Sequence, residues 1–385
     1  MMELKKIREK NGGRMFVVYS WIVLGVALFF LVFGLLNELA IKFHSKIDFE
    51  ESGKKVSILI PARNEEKNIR NCIWPLVRQL YDNYEVVVLD DNSTDATWSI
   101  LEELQKEYPK ILRIYKGEKL PEGWKGKNFA MEQLYKKAQG EILICTDADT
   151  VHKRTMLSFA VHNFEKNKAD YLSGYVLQEM KTFGEKITIP LMYMLTSLII
   201  PSFLNTLLPY SFLSIGIGQF IMIKKSVLEQ IGGYAAIKDR ISDDVYLSRL
   251  VKKCGFKSVF INLQEEVSCR MYNSYKSASR GIVKNIADFF NGFSIIPLII
   301  AFFIFLVLPF FIGMYELLVL KTLSLIGLSV IVFFVIWVQI TVCRELPWYT
   351  PFLYPIIFLN LLYMATLSQI NAIRGTSYTW KGRKL

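Results

Sequence analysis

The sequence of 385 residues contains few cysteines and few histidines. The five cysteines are widely spaced and no two form a CxxC pair, so the sequence predicts neither a disulfide framework nor a cysteine zinc site. Three histidines occur, His44, His152 and His162, and we do not expect them to form a zinc centre. Reduced, structural cysteines suit a domain that faces the cytosol.

Charged residues are missing from four long apolar stretches, which cover residues 15–36, 294–314, 323–342 and 351–370. Each stretch is long enough, at about 1.5 Å per helical residue, to cross a hydrocarbon core of about 30 Å. We therefore predict a basic tail and N-terminal membrane anchor over residues 1–41, and three transmembrane helices with a basic tail over residues 292–385. A cleaved signal peptide is the alternative for the first stretch, although such a peptide has a shorter apolar core.

Basic residues outnumber acidic ones, with 46 Lys and Arg against 35 Asp and Glu, which gives a formal net charge of +11. Such an excess is compatible with nucleic acid, anionic lipid or a phosphate-bearing substrate as the partner. Basic flanks of membrane helices produce the same excess. The mean hydropathy of +0.28 favours a membrane protein. We expect no nucleic-acid partner.

The middle of the chain, residues 42–291, alternates short apolar runs with amphipathic stretches and is predicted to be a catalytic domain. Four runs are predicted to be strands: 56–60, 84–89, 111–115 and 141–145. Three stretches between them are predicted to be helices: 65–80, 95–107 and 127–139. This alternation is typical of an α/β fold with a doubly wound, mostly parallel sheet. Asp95 is placed to cap the second of these helices.

One part of this region, residues 187–213, is almost uncharged and contains three prolines. It is long enough for a further membrane pass, but it lies between two parts of one predicted domain. We therefore predict a helix-rich segment that lies in the membrane interface.

Polar side chains follow the first two predicted strands at the point where each strand ends. The motif PARNEE occupies residues 61–66, and LDDNSTD occupies residues 89–95. Ligands of open α/β sheets bind at the carboxyl ends of the strands, so these side chains are placed for a substrate. The alternative is a purely structural loop, with Asn64 and Asp95 as helix caps.

The motif TDADT, residues 146–150, follows the fourth predicted strand. Asp147 and Asp149 are two positions apart, so in an extended or turning stretch both carboxylates project the same way. Hard divalent cations prefer oxygen ligands, and Mg²⁺ usually takes one or two protein carboxylates together with substrate phosphates. We predict a site for Mg²⁺ or Mn²⁺ here, and a solvated turn is the alternative.

Charged residues also stand at two predicted helix starts. Asp243 and Asp244 open a helix in the motif SDDVYLSR, where the helix dipole stabilises carboxylates for structural reasons alone. A carboxylate near an acceptor hydroxyl can also serve as general base, and Asp244 is the candidate, with Asp243 beside it. Lys127 precedes another helix in the motif GWKGKN and is placed to meet a phosphate.

Taken in order, the motifs PARNEE, LDDNSTD, TDADT and DDVYLSR resemble those of glycosyltransferase family 2, whose fold is termed GT-A. The resemblance covers about residues 56–255. It implies a nucleotide site, with Asp91 on the base, formed by Pro61, Arg63, Glu65 and Asp91. It also implies a metal site at Asp147 and Asp149 on the diphosphate of the donor, and a catalytic base at Asp244.

A second resemblance is to the membrane-bound branch of this family that includes the carotenoid-ester glycosyltransferases of the diaponeurosporenoate type. It is carried by WKGK at 124–127, RMY at 270–272 and WKGR at 380–383. That branch also has an N-terminal anchor and C-terminal membrane helices. This sequence has Asp243 where many family members have Glu, and it lacks a clear QxxRW motif, which favours transfer of a single sugar over processive synthesis.

The motifs and the resemblance together predict an inverting hexosyltransferase that moves a sugar from a nucleotide-sugar to a lipid-phase acceptor. Such a donor is cytosolic, so we expect a multi-pass protein of the plasma membrane with a cytosolic catalytic domain. Counting basic residues places both tails in the cytosol, which disagrees with a single anchor before that domain. A non-catalytic component of a lipid or polysaccharide transport system is the alternative function. Nucleotidyl transfer is disfavoured because no glycine-rich loop follows the first strand.

Overall fold

The computed structural model describes residues 2–45, 53–290, 294–374, 379–380 and 383–384. They form two compact units, each assembled from separate stretches of the chain. The helical unit comprises Met1–Glu38, Thr182–Ile199 and Ser274–Thr376. The sheet unit comprises Leu39–Lys181, Ile200–Asn273 and Ser377–Leu385.

The strands belong to the sheet unit. In chain order they are β1 (Val56–Ala62), β2 (Tyr84–Asp90), β3 (Leu112–Lys116), β4 (Ile142–Cys145), β5 (Thr150–His152), β6 (Tyr171–Tyr175), β7 (Leu177–Gln178), β8 (Ile221–Lys224), β9 (Ser258–Asn262), β10 (Val267–Cys269), β11 (Thr379–Trp380) and β12 (Arg383–Lys384). Seven of them form the main sheet in the order β3-β2-β1-β4-β8-β6-β9, and a second sheet has the order β5-β10-β7. The strands β11 and β12 pair with each other in antiparallel fashion.

The main sheet is mostly parallel, as the alternating pattern predicts. The strands β2, β1 and β4 are parallel neighbours, β3 is parallel to β2, and β9 is parallel to β6. The exception is β8, which is antiparallel to both β4 and β6. As a result the first residues of β8 lie at the same edge of the sheet as the last residues of β1, β2 and β4.

Apolar residues cover both faces of this sheet, which is why its strands are nearly continuous apolar runs. In β1, Ile58 and Ile60 belong to one buried cluster, while Leu59 belongs to another on the opposite face. The alternation follows from the two-residue period of a strand. Burial on both faces fixes the register of the sheet and therefore the positions of the loops at its edge.

The helices of the sheet unit are α2 (Ile69–Leu76), α3 (Thr97–Glu107), α4 (Gly126–Lys137), α5 (Met156–Lys166), α8 (Ser202–Asn205), α9 (Lys225–Gln230) and α10 (Asp243–Lys253). Short 3-10 turns occur at Ser211–Leu213 and Tyr234–Ile237. The predicted helix 65–80 is shorter than expected, because a turn precedes Ile69 and the helix ends at Leu76, beside Pro75. The N-cap position of α3 is Ala96, one residue after the predicted Asp95, and the Asp95 carboxylate accepts from the N–H of Thr97, the first residue of the helix, at 3.0 Å.

The helical unit contains α6 (Phe183–Lys186), α7 (Pro190–Ile199), α11 (Tyr275–Phe290), α12 (Ile296–Phe302), α13 (Leu308–Tyr315), α14 (Leu325–Cys343) and α15 (Thr350–Ile373), and α1 (Met2–His44) contributes to both units. Turns of π-helix occur at Phe303–Val307 and Glu316–Leu320. Four helical stretches are long and apolar enough to cross a membrane: Gly13–His44, Ile296–Leu320, Leu325–Cys343 and Thr350–Ile373. They confirm the four predicted apolar helices.

Polar contacts hold the helical unit together in addition to apolar packing. The Asn37 side chain donates to the Ser197 carbonyl at 2.7 Å, which ties α1 to α7. The Arg344 guanidinium pairs with Glu38, and both side chains are largely buried. Because α7 contacts α14 and α15, the first part of the predicted interfacial segment 187–213 packs among the membrane-helix candidates.

Candidate functional site

A cleft lies at the edge of the main sheet where β1 and β4 end and β8 begins. The lining residues that matter for its chemistry are Pro61, Lys127, Asp147, Gly218, Tyr234 and Asp243. All of them belong to the sheet unit. The register of the sheet brings them together, because β1 is parallel to β4 while β8 runs in the opposite direction beside β4.

Lys127 is the central cation of this cleft. Its ammonium group lies 2.8 Å from Asp147 Oδ1 and 3.5 Å from Asp243 Oδ2. Burial favours the neutral amine, but the surrounding carboxylates, foremost Asp147 and then Asp243, outweigh burial and raise the pKa of Lys127 well above its usual value. The lysine is therefore permanently charged and joins the turn after β4 to the start of α10.

Asp244 lies beside this ion pair at the N-terminus of α10. Its Oδ2 accepts from the Gly218 N–H at 2.8 Å, and its Oδ1 accepts from the Val245 N–H at 2.8 Å. Burial, followed by the charge of Asp243, raises the pKa of Asp244 to about 6, against the opposing pull of Lys127 and the two N–H groups. A carboxyl group with such a pKa can accept a proton near neutral pH.

The glycines of the segment before β8 allow this close approach. A side-chain carbon at Gly218 would lie 3.1 Å from Lys127 Nζ and 3.4 Å from Asp244 Oδ2. A carbon at Gly216 would lie 2.5 Å from the Asp244 carbonyl oxygen and would also collide with the Tyr171 hydroxyl. Sequence reasoning missed these two residues, although the Gly-x-Gly pattern just before an apolar run was visible.

The turn that carries Asp147 is held by a buried group of polar side chains. The Thr150 hydroxyl donates to the Asp147 carbonyl at 2.6 Å, and the Thr146 hydroxyl donates to the Gln219 carbonyl at 2.8 Å. His152 Nε2 lies 3.0 Å from the Thr150 oxygen and 3.1 Å from the Thr146 oxygen. Because both hydroxyl protons are already used, Nε2 carries the proton and donates to the two oxygens.

His152 was considered in the sequence only as a zinc ligand and was not predicted to play this role. Burial lowers the pKa of His152 to about 3, so the ring is neutral at physiological pH. A neutral ring suits the Nε2–H tautomer that the hydroxyls require. His152 thus orients the two threonine hydroxyls of the turn after β4, and the Thr146 hydroxyl ties this turn to the segment before β8 at Gln219.

Asp149 lies on the other side of the same turn, next to β10. The Cys269 thiol donates weakly to Asp149 Oδ1 at 3.7 Å, and burial together with Asp149 raises the pKa of Cys269 well above its usual value. Burial and Asp149 also raise the pKa of Tyr272, to about 12. Both groups are therefore neutral at physiological pH.

The predicted metal ligands fit a hard cation by their chemistry. Asp147 and Asp149 are partly exposed carboxylates at the carboxyl end of β4, and oxygen donors of this kind suit Mg²⁺ or Mn²⁺. Within the described residues, no group of three or more His, Cys, Asp and Glu side chains is placed to hold a metal ion. In this structure the ammonium group of Lys127 neutralises Asp147.

The loops after β1 and β2 form one hydrogen-bonded unit. Arg63 Nη1 donates to the carbonyls of Asp91 at 2.5 Å and of Asn92 at 3.2 Å. Asn64 and Asn92 adopt left-handed backbone conformations, with φ of 51° and 55°. The Asn64 side-chain oxygen accepts from the Thr94 N–H at 2.8 Å, which locks the two loops together.

Two residues predicted to bind the nucleotide are buried in these loops. Asp91 is 6 % exposed, and its N–H donates to the Ala62 carbonyl at 2.7 Å. Glu65 is 8 % exposed, and its carboxylate accepts from the Asn68 side chain at 2.8 Å. Glu65 is thus engaged at the start of α2, whereas Pro61 lines the same cleft as Lys127.

Known proteins resemble the part of the chain that forms this site in sequence. The family model of glycosyl transferase family 2 matches residues 57–232, which include the loops after β1, β2 and β4 and the start of β8. A beta-monoglucosyldiacylglycerol synthase from Nostoc sp. is 37 % identical over 160 residues, which are 41 % of this chain and 32 % of that protein. A dolichol-phosphate mannosyltransferase from Pyrococcus furiosus is 34 % identical over 122 residues, or 31 % of this chain and 32 % of that protein. The chain thus spans about a third of the length of these relatives.

A solved structure has the same fold over nearly the whole chain. The mannosyltransferase PcManGT from Pyrobaculum calidifontis, solved with GDP-Man and Mn²⁺, superposes with a TM-score of 0.54 at 18 % sequence identity. The match covers 91 % of this chain and 99 % of that protein. At this level of identity the comparison establishes the fold and leaves the chemistry to be argued from the residues.

Proposed function

Because the chain contains a domain of glycosyltransferase family 2, we propose that it transfers one sugar from a nucleotide-sugar to a lipid-phase acceptor, with inversion at the anomeric carbon. The observation that carries the proposal is the arrangement at the sheet edge. There Asp244, with a pKa of about 6, stands beside the ion-paired Lys127 and Asp147. The relatives are named for glycolipid and dolichol-phosphate products, and their names support a lipid acceptor.

On the donor side, the loops after β1 and β2 are the proposed nucleotide site. Asp91 and Arg63 would face the base and ribose, with Glu65 supporting the loop, and Pro61 would form the floor of the cleft. Lys127 is a permanent cation at the cleft and would contact the diphosphate. Asp147 and Asp149 would hold a divalent cation, which when bound stabilises negative charge on the departing diphosphate.

On the acceptor side, Asp244 is the proposed general base. It takes the proton of the acceptor hydroxyl while the oxygen attacks the anomeric carbon and the bond to the nucleoside diphosphate breaks on the opposite face. Its two backbone N–H donors fix the orientation of the carboxylate, which is the precondition for efficient proton transfer. Asp243 is the neighbouring carboxylate that raises the pKa of Asp244 and pairs with Lys127.

The proposed setting is the plasma membrane, with several membrane passes and the sheet unit on the cytosolic side. The four apolar helices support membrane association by length and composition. The cytosolic side is proposed because nucleotide-sugars are made there. Within the lipid class, the proposed acceptors are a carotenoid-type lipid and diacylglycerol, which is named in the Nostoc relative.

The decisive experiment measures nucleotide release by the full-length protein in detergent, with a panel of UDP- and GDP-sugars, Mg²⁺ or Mn²⁺ and a membrane lipid extract. We expect one donor to be turned over in a metal-dependent manner. Asp244→Asn should lower turnover by roughly 10²–10⁴-fold, the usual contribution of a general base. Asp149→Ala should lower turnover far more than it lowers the Tm.

Two control variants make the result interpretable. Asp243→Asn should retain more activity than Asp244→Asn, and the reverse order would assign the base to Asp243. Asp82→Ala removes an exposed carboxylate of the sheet unit and should leave turnover unchanged. If no donor is bound or turned over under any condition, the non-catalytic alternative replaces the proposal.

A further inference from the structure

A charge-free segment leads directly into the candidate active site. No Asp, Glu, Lys or Arg occurs between Lys186 and Lys224. The first part of this segment forms α7 in the helical unit, and the part from Ile200 onward belongs to the sheet unit. The sheet unit therefore carries a stretch without charge that includes Gly218, whose N–H donates to Asp244.

Large apolar side chains of this stretch are exposed on the surface of the sheet unit. Leu207 is 73 % exposed, Tyr210 is 56 % exposed and Phe212 is 60 % exposed. The rings of Tyr210 and Phe212 stack, with centroids 5.7 Å apart and an angle of 20° between their planes. Single exposed apolar residues are ordinary, but several exposed apolar side chains close together in an uncharged stretch mark a candidate contact surface.

Residues on both sides of these exposed side chains are hydrogen-bonded to the main sheet and to α10. The Asn205 side chain donates to the Ser258 carbonyl at 3.0 Å, and the hydroxyls of Ser214 and Ser258 are 2.9 Å apart. The Lys252 ammonium group donates to the Asn205 carbonyl. Lys252 lies in α10, the helix whose first turn carries Asp244. Residues 207–212, which we call the apolar loop, are therefore anchored to this helix.

We propose that the apolar loop inserts into the interfacial layer of the lipid bilayer and thereby holds Asp244 at a fixed distance from the lipid headgroups. The loop carries no charged side chain whose hydration would be lost on insertion. Tyrosine and other aromatic rings favour the interfacial layer of the bilayer. Its position along the chain agrees, because Leu207 lies eight positions after Ile199, the end of α7, and eight extended steps span at most about 28 Å.

The consequence concerns the acceptor and rests on the proposed function. A base held at headgroup level by an inserted loop reaches a hydroxyl at the polar end of a lipid. It does not reach a hydroxyl buried among acyl chains, and a soluble sugar gains nothing from the insertion. The acceptor class is therefore a membrane lipid with its reactive hydroxyl in the headgroup layer.

The test uses nitroxide labels on the full-length protein in nanodiscs of phosphatidylcholine and phosphatidylglycerol. Cys254, which is exposed, and Cys343, which is partly exposed, are first replaced by Ser. Labels are then placed by Phe212→Cys and, as a second position on the loop, by Leu207→Cys. The matched control is Leu80→Cys, an apolar side chain of the sheet unit that is 55 % exposed and lies outside the charge-free segment.

Collisions with O₂, which concentrates in lipid, and with a nickel chelate, which stays in water, report the surroundings of each label. We expect O₂ to dominate at positions 207 and 212, and the nickel chelate to dominate at position 80. Dominance of the nickel chelate on the loop would overturn the proposal. Shielding from both reagents would also overturn it, because the loop would then be covered by protein. Donor turnover, measured on the same samples, reports separately on the proposed enzyme activity.

Discussion

Opposing influences act on the carboxyl group of Asp244. Two backbone N–H groups and Lys127 favour its charged form, whereas burial and the charge of Asp243 favour its neutral form, and the second pair prevails. If the charged form is the base, kcat/KM should rise with pH and level off above an apparent pKa of about 6. A pH–rate profile between pH 4.5 and 8 checks this. A profile that is flat across pH 6 would argue against Asp244.

Gly218 and Gly216 allow two substitutions with opposite expected outcomes. In Gly218→Ala the new carbon meets the flexible end of Lys127, so the lysine shifts and turnover falls while the Tm changes little. In Gly216→Ala the new carbon meets the backbone of Asp244, which cannot yield locally, so stability falls by roughly 1–3 kcal/mol. Turnover and thermal unfolding of both variants distinguish the effects. Equal losses of stability would show that the contact at Gly218 is structural.

The sequence was informative about charged site residues and uninformative about the groups that position them. Motif order indicated Asp147 and Asp244, and a position ahead of a predicted helix indicated Lys127, because such residues at strand and helix ends collect at one edge of a sheet. His152 and Cys269 were not recognised, since their roles depend on burial and on contacts across strands that are far apart in sequence. The assignment of catalytic and metal-binding roles remains a prediction.

Among the elements, the turn between β4 and β5 depends on a histidine that stays neutral. The folded protein does not protonate His152 until about pH 3, whereas the unfolded chain protonates it near pH 6.5. The stability that it contributes is therefore complete above pH 6.5 and is lost as the pH falls from 6.5 toward 3.

This titration predicts a measurable dependence of the Tm on pH. His152→Asn should lose about 1–3 kcal/mol at pH 7.5, because buried hydroxyls lose a donor, yet its Tm should fall less steeply on acidification. Thermal unfolding from pH 7.5 to 4.5 provides the comparison. His44→Asn is the control, since His44 lies outside the turn and pairs with Asn167. Parallel slopes for wild type and His152→Asn would contradict the assignment.

The strand pattern was predictable because strands buried on both faces are continuous apolar runs of recognisable length. Periodicity predicted β1 to β4 to within two residues, together with their mostly parallel arrangement. The reversed direction of β8 was not predictable from its four residues, because a short apolar run carries no information about direction. The residues at its start, Gly218 among them, were missed for the same reason.

For the molecule as a whole, the buried pair of Glu38 and Arg344 joins α1 to the end of α14 within the helical unit. Removing one partner leaves an uncompensated buried charge, so Glu38→Gln or Arg344→Met should each cost roughly 3–5 kcal/mol. The double variant should cost less than the sum of the two. Unfolding in detergent measures the cycle, with the exposed pair Arg70 and Glu103 as a control worth under about 1 kcal/mol. Additive costs would show that the pair is not coupled.

The path of the chain between the two units affects how the protein can be produced. The sheet unit is interrupted after Lys181, and the chain returns to it at Ile200 after forming α6 and α7 in the helical unit. Because α7 contacts α14 and α15, deleting those two helices removes part of the packing around α7, whose buried residues include Leu191 and Met194. Deleting the N-terminal and C-terminal membrane-helix candidates therefore does not yield a water-soluble fragment. The apolar segment 182–199 remains within the chain and promotes aggregation. A water-soluble fragment for crystallisation requires residues 182–199 to be replaced by a short hydrophilic linker.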